Sequence, residues 1–287
     1  MNFGIILALI ALVALGLSSA LSRNPVRKIG PNQVMFFRGI FDSAILLLLV
    51  ISFRSFTTFS LKYTLIALLI AALGFIPLFF FYKAIEIGKI GVISPVSSSY
   101  AVITIILAMI FYHERLSYFQ LFSVAFIIIG IILISTNFRQ FKSSHLFDLK
   151  SGLPYAIITL LGWGIYFFLI RIPSVHLGSI FTSFVIEFAI LLVVASSIAV
   201  KREKISLPDT RTLRNIILIS VSLVVGVICY YQALRIFHVG IVSAIGSATP
   251  LIVTAYSLIF FKEKLTPQQL GGFLLIVIGI ISISLVR

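Results

Sequence analysis

Runs of about 20 residues with almost no polar positions alternate along the chain with short connections where Pro, Gly, Ser and charge gather. A run of that length forms a helix of about 30 Å, the thickness of a bilayer's hydrocarbon core. The runs are apolar on every side instead of alternating, so the pattern predicts membrane-spanning helices and excludes a transmembrane β-barrel. Ten spans are expected, over residues 3–22, 32–52, 63–82, 91–111, 117–136, 152–171, 178–200, 213–233, 241–261 and 267–286. The first lacks a basic segment ahead of it and is expected to be retained, not removed as a signal peptide. The two longest connections, FRQFKSSHLFDLK (138–150) and KREKISLPDTRTLR (201–214), are too small to be domains.

The polar punctuation repeats. LIFFKEKLTPQQL at 258–270 has the rhythm of MIFYHERLSYFQL at 109–121, with Glu263 and Glu114 at the centres. Residues 82–135 align without a gap to 231–284, and about 20 of the 54 pairs are identical. They include Tyr82 with Tyr231, Ser98 with Ser247, Glu114 with Glu263, Gln120 with Gln269 and Gly130 with Gly279. A weaker match continues upstream, where Gly16, Arg23 and Pro25 face Gly164, Arg171 and Pro173, and DSAILL (42–47) faces EFAILL (187–192). The chain therefore divides into a five-helix repeat at 1–137, a connecting loop at 138–150 and a second repeat at 151–287. A unit with an odd number of spans ends on the side opposite its start, so its second copy inserts upside down. The expected fold is an all-α polytopic membrane protein, ten transmembrane helices arranged as a 5+5 inverted repeat, as in many secondary transporters.

Composition agrees: 60% of residues are hydrophobic and 10% charged, against roughly 25% charged in soluble domains. The net charge of +14 does not form a basic stripe. Lys and Arg are scattered through the connections, which points to membrane orientation and away from a nucleic-acid partner. Connections after odd-numbered spans hold 15 of them and the opposite face 6, a count that puts both termini outside. The single Cys229 excludes an internal disulfide, and His113, His145, His176 and His238 share no metal-ligand spacing. No nucleotide-binding glycine loop occurs, so no cofactor, metal or enzymatic activity is expected.

The doubled five-helix repeat carries further marks: the Trp163-Gly164 pair, the Pro31 and Arg38 start of the second span, the aromatic-to-Glu closure of spans four and nine, and mid-helix Gly130 and Gly279. In that order they resemble the ten-helix EamA-type branch of the drug/metabolite transporter superfamily, over essentially the whole chain. The resemblance implies a transporter of amino acids, other metabolites or drugs, usually an exporter or exchanger, with cytoplasmic termini, contrary to the charge count. Leu15 stands where the second half has Trp163, so one aromatic wall of the expected cavity is missing. Spans one and six carry no acid, unlike the small multidrug members.

Ionisable groups inside a bilayer are costly and mark function by default. Arg38 and Asp42 lie one turn apart and can pair, while Glu187 occupies the repeat position of Asp42 with no base within a turn of it. Two matched acids suit coupling to a proton or counter-substrate, Glu187 being the better candidate; the alternative is a structural ion pair. Spans four and nine begin GVISPVSSSYAV and GIVSAIGSATPLIV, whose Pro and small hydroxyl residues loosen the backbone. Ser97, Ser98, Ser99, Tyr100, Thr249 and Pro250 are substrate-binding candidates, with Trp163, Tyr166, Tyr82, Tyr230 and Tyr231, whose polar tips need partners in apolar surroundings. The abundant Phe side chains are set aside as packing, and Glu114 and Glu263 are read as structural. Glycines of spans five and ten suit close helix contact, within the repeat or in a homodimer.

The expected function is secondary transport of a small organic solute by alternating access, in the inner or plasma membrane. The solute would bind between spans one, three, four, six, eight and nine. Two alternatives stand beside it: a non-transporting membrane scaffold or subunit, and an organic-phosphate or nucleotide-sugar exchanger, which would need more basic residues at depth than Arg38.

Overall fold

The structure, a computed structural model, describes residues 3–88, 90–135, 152–261 and 266–285. The 138–150 connection, His145 and Glu263 lie outside them. The described residues form helices and turns without a strand. In chain order the helices are α1 (Phe3–Ile29), α2 (Pro31–Ser52), α3 (Leu61–Ile87), α4 (Ile90–Ser98), α5 (Tyr100–Phe111), α6 (Tyr118–Ser135), α7 (Leu153–Leu169), α8 (Arg171–Leu177), α9 (Ser179–Lys201), α10 (Thr210–Ile236), α11 (Val239–Ser247), α12 (Thr249–Phe261) and α13 (Pro267–Leu285). Among the described residues eight segments are long and apolar enough to cross a membrane, and Val96–Phe111 and Tyr118–Ile134 are shorter apolar helices. The chain is a multi-pass membrane protein.

Three expected spans are each two helices. At the fourth, the Ser99 amide donates to Val96 O and the Val102 amide to Ser99 O. At the ninth, Ala248 donates to Ile245 O and Leu251 to Ala248 O, the same three positions displaced by 149. Bonds from i to i−3 tighten one turn and re-aim the helix that follows. In the sixth, Pro173 removes the donor that the Leu169 carbonyl would need. Pro25 was expected to lie in a connection; α1 instead runs through it, because loss of one hydrogen bond does not stop a helix whose far end is tied by Arg27 Nη2 donating to Gly88 O at 2.9 Å. The turn comes at Gly30, whose φ of 80° requires glycine, and Gly178 turns the chain into α9 with φ 81°.

Other details recur at matched positions. Arg54, just beyond the end of α2, and Arg202, the C-cap of α9, are both left-handed, with φ 49° and 52°. The charged hinges end in capping boxes. Gln120 Oε1 accepts from the Ser117 amide at 2.8 Å, and Ser117 Oγ accepts from the Gln120 amide at 3.3 Å. Gln269 and Thr266 repeat this at 3.0 and 3.3 Å.

Packing pairs α1 with α10 and α3 with α7, while α2 runs along α9 and α6 along α13. Between α6 and α13 the backbones nearly touch: a β-carbon at Gly130 would sit 2.7 Å from the Gly272 carbonyl oxygen. Gly130→Val is therefore expected to cost at least about 1–3 kcal/mol by overpacking. Gly271→Val, with nothing within 4 Å of its β-carbon position, should be near neutral. Thermal unfolding of the two variants side by side checks this. Outside the membrane, Asp209 at the start of α10 accepts from Lys28 Nζ and Thr212 Oγ1, each at 2.6 Å. Those bonds lower its pKa to about 2, so its small stabilising effect is complete above the usual Asp value of 3.8 and fades as pH falls toward 2.

Candidate functional site

Where the broken helices meet α1, α3, α7 and α10 they leave a cavity of about 120 Å³ in the middle of the bundle. That volume is of the order of a cavity that holds benzene. Its aromatic wall is Trp163, Phe167 and Tyr166 of α7 with Phe81 and Tyr82 of α3, Tyr100 and Tyr231. Trp163 packs on Phe81 at 4.8 Å between ring centroids and meets Tyr100 edge-on at 6.1 Å. Ser18, Ser19 and Ser22 of α1 form a hydroxyl strip beside Leu15.

At one edge of the cavity lies a buried charge cluster. Arg38 is 1% exposed. Its Nη2 donates to Glu187 Oε2 at 2.9 Å, its Nη1 to Tyr82 Oη at 3.2 Å, and its Nε lies 2.9 Å from Asp42 Oδ2. One guanidinium thus faces two carboxylates from α2 and α9, in a fork geometry suited to such pairing. The expectation that Glu187 lacks a basic partner is corrected: its partner is on another span, 149 residues away. The Arg38–Asp42 pair forms as the spacing predicts. With all three groups ionised the cluster carries one net negative charge. Arg38 and Glu187 line the cavity and Asp42 is packed behind them.

The buried tyrosine hydroxyls are all engaged. Tyr166 and Tyr231 share a hydrogen bond of 2.5 Å, and Tyr230 pairs with Ser243 at 2.9 Å. Ser98 Oγ and Thr249 Oγ1, one from each broken span, meet at 3.1 Å on the cavity wall. Thr249→Val, which removes that bond at nearly constant volume, should cost about 1 kcal/mol of stability, read by thermal unfolding.

Of the sequence candidates, Trp163, Tyr166, Tyr100, Tyr82, Tyr231, Ser98, Thr249, Arg38 and Glu187 converge here. Ser97, Ser99, Tyr230 and Pro250 stand behind the wall: Ser97 is fully buried, Ser99 and Pro250 sit at the helix breaks, and Tyr230 supports Phe167 at 4.9 Å. Phe81 and Phe167, set aside as packing, belong to the wall, as do the α1 serines, which drew no attention. The signal for the serines was their i, i+4 spacing in an otherwise apolar run. Spans two and seven join the expected six by contributing Arg38, Glu187 and Ile190.

Glu114 has a structural part. Its carboxylate accepts from the Val239 and Gly240 amides at 2.7 and 3.0 Å, capping α11, and from Arg171 Nη1 at 2.9 Å. The guanidinium comes from across the bundle, just past the end of α7.

The profile of the EamA-like transporter family matches residues 2–136 and again 150–285. An uncharacterized transporter of Archaeoglobus fulgidus is 20% identical over 282 residues, 98% of both chains. An uncharacterized protein of Methanocaldococcus jannaschii is 38% identical over 88 residues, 31% of this chain, and the match spans 64% of that relative's length. A protein of known crystal structure superposes with a TM-score of 0.77 at 13% identity, over 97% of this chain and 96% of that one, a likeness of fold.

Proposed function

Because the chain belongs to the EamA-like transporter family, membrane transporters of small solutes, we propose that it is a secondary transporter working by alternating access on a small organic solute held in the central cavity. The observation that carries this reading is the cavity itself, enclosed by spans of both halves and combining an aromatic box with a buried charge cluster. Ten spans in a 5+5 inverted repeat, divided at 1–137 and 151–287, is the architecture we propose. The matched turns at Gly30 and Gly178, the matched breaks at Ser99 and Ala248, and a packing pattern that maps onto itself when the halves are exchanged support it. Under that symmetry the two halves rock about the Ser98–Thr249 contact, and the cavity opens to each side in turn.

Export or exchange across the inner or plasma membrane is the direction the reading favours. Coupling to a proton or counter-substrate runs through Glu187, which faces the cavity. An organic-phosphate exchanger fits less well, because the one guanidinium at depth is already held by two carboxylates.

Solute binding is tested by thermal stability of purified protein against amino acids, polyamines, sugars and aromatic cations. A ligand at 100 times its Kd is expected to stabilise by about 2.7 kcal/mol. In proteoliposomes with that compound, Trp163→Ala and Tyr100→Ala should each raise the half-saturating concentration about tenfold, with membrane insertion unchanged. Unchanged kinetics in both variants would remove the cavity as the binding site.

A further inference from the structure

A second concavity, of about 670 Å³, opens at the end of the bundle where α5, α7, α10 and α11 have their termini. It is lined by Arg115, Arg171 and Arg235, by His113 and His238, and by one acid, Glu114. Among the described residues Lys and Arg are sparse on this face: of Arg54, Lys62, Arg115, Arg171 and Arg235, three converge on one hollow. An orientation signal requires no such convergence, since it depends on charge number and not on position within the face.

The charge is not cancelled. Glu114 is fully used by Arg171 and the two α11 amides. Arg171 also lies over the Tyr112 ring, 5.1 Å from its centroid, so it is fixed in place as the floor of the hollow. Arg235 donates one Nη1 bond to the neutral Gln232 at 2.9 Å, and among the described residues no carboxylate pairs with Arg115 or Arg235. Three guanidiniums against one carboxylate leave two positive charges, at a depth marked by the exposed Phe111, Tyr118 and Ile236. Exposed aromatic and apolar side chains beside arginine characterise the level of lipid phosphates. Guanidinium forks match phosphate oxygens two at a time.

We propose that this hollow is a binding site for a phosphate-bearing anion, with Arg115 and Arg235 contacting the phosphate above the anchored Arg171. The chemistry is shared by an anionic phospholipid headgroup and a soluble phosphate ester. The site is separate from the central cavity, so its failure would leave the transport reading intact.

The test titrates delipidated full-length protein with short-chain phosphatidylglycerol and with phosphatidylcholine of the same chain length, counting bound lipid by native mass spectrometry. Phosphatidylglycerol should bind at least about tenfold more tightly. Arg115→Gln with Arg235→Gln should weaken it about 25-fold, roughly fivefold for each guanidinium. Arg54→Gln with Lys62→Gln removes the same charge from the same face outside the hollow and should change binding less than about twofold. If the double variant does not fold, each single arginine variant should still show its roughly fivefold loss. Competition by millimolar inorganic phosphate would identify a soluble phosphate ester as the occupant, and its absence a lipid headgroup. Undiminished binding in the arginine variants, equal loss in the control pair, or no preference for the anionic lipid would overturn the proposal.

Discussion

Arg38→Gln is expected to lower the thermal midpoint of the purified protein by about 10 °C. The residue is almost wholly buried, and among the described residues its guanidinium is the only positive charge paired with Asp42 and Glu187, themselves 0% and 5% exposed. Removing it leaves two carboxylates in apolar surroundings without a counter-charge, a loss of about 3–5 kcal/mol when one partner of a buried pair is deleted. At roughly 2–4 °C per kcal/mol for a chain of this order of size, the shift follows. Arg38→Lys should recover only part of it, since one ammonium cannot reach Tyr82 and both acids with the spread of a guanidinium. Neutralising all three groups together (Arg38→Met, Asp42→Asn, Glu187→Gln) should restore most of the stability, because the penalty belongs to unpaired charge and not to the missing pair. A midpoint unchanged in Arg38→Gln would mean that the three side chains do not act as one unit.

That cluster also shows what the sequence made legible and what it did not. The pair within α2 follows from spacing alone, because residues four apart on a helix are neighbours. Glu187 reaches Arg38 only through the packing of α2 against α9, a contact between helices far apart in sequence, and periodicity within one span says nothing about it. Glu114 is a parallel case, with its partner Arg171 at the end of another span. Repeats were the exception to this blindness. Alignment at an offset of 149 paired Gln120 with Gln269, and the capping boxes and helix breaks recur at that offset.

Helix ends and cavity walls were less legible. The polar stretch after residue 22 looked like a connection, yet helical hydrogen bonding persists until Gly30, since a helix leaving the hydrocarbon region can hydrate its charged side chains and continue. Phe81 and Phe167 could not be told from the many other Phe residues without knowing which side of α3 and α7 faces inward. Helices that are apolar all round give no such direction.

Glu187→Gln and Asp42→Asn should part company in transport while resembling each other in stability. Either change leaves Arg38 with one carboxylate, a neutral pair, so the midpoint should move by less than about half of the Arg38→Gln shift. The two acids differ in position: Glu187 lines the cavity and Asp42 lies behind it. With both carboxylates ionised, the cluster carries one surplus negative charge, which a single proton or cation entering through the cavity would neutralise. Only Glu187 is placed to receive it. Glu187→Gln is therefore expected to reduce gradient-driven accumulation of solute in proteoliposomes more than about tenfold. Solute-for-solute exchange should continue, since exchange needs the binding site but no coupled charge. Asp42→Asn should retain at least half of the accumulation. Equal losses in both variants would place coupling in the cluster as a whole, and normal accumulation in Glu187→Gln would make the cluster a structural tie between α2 and α9.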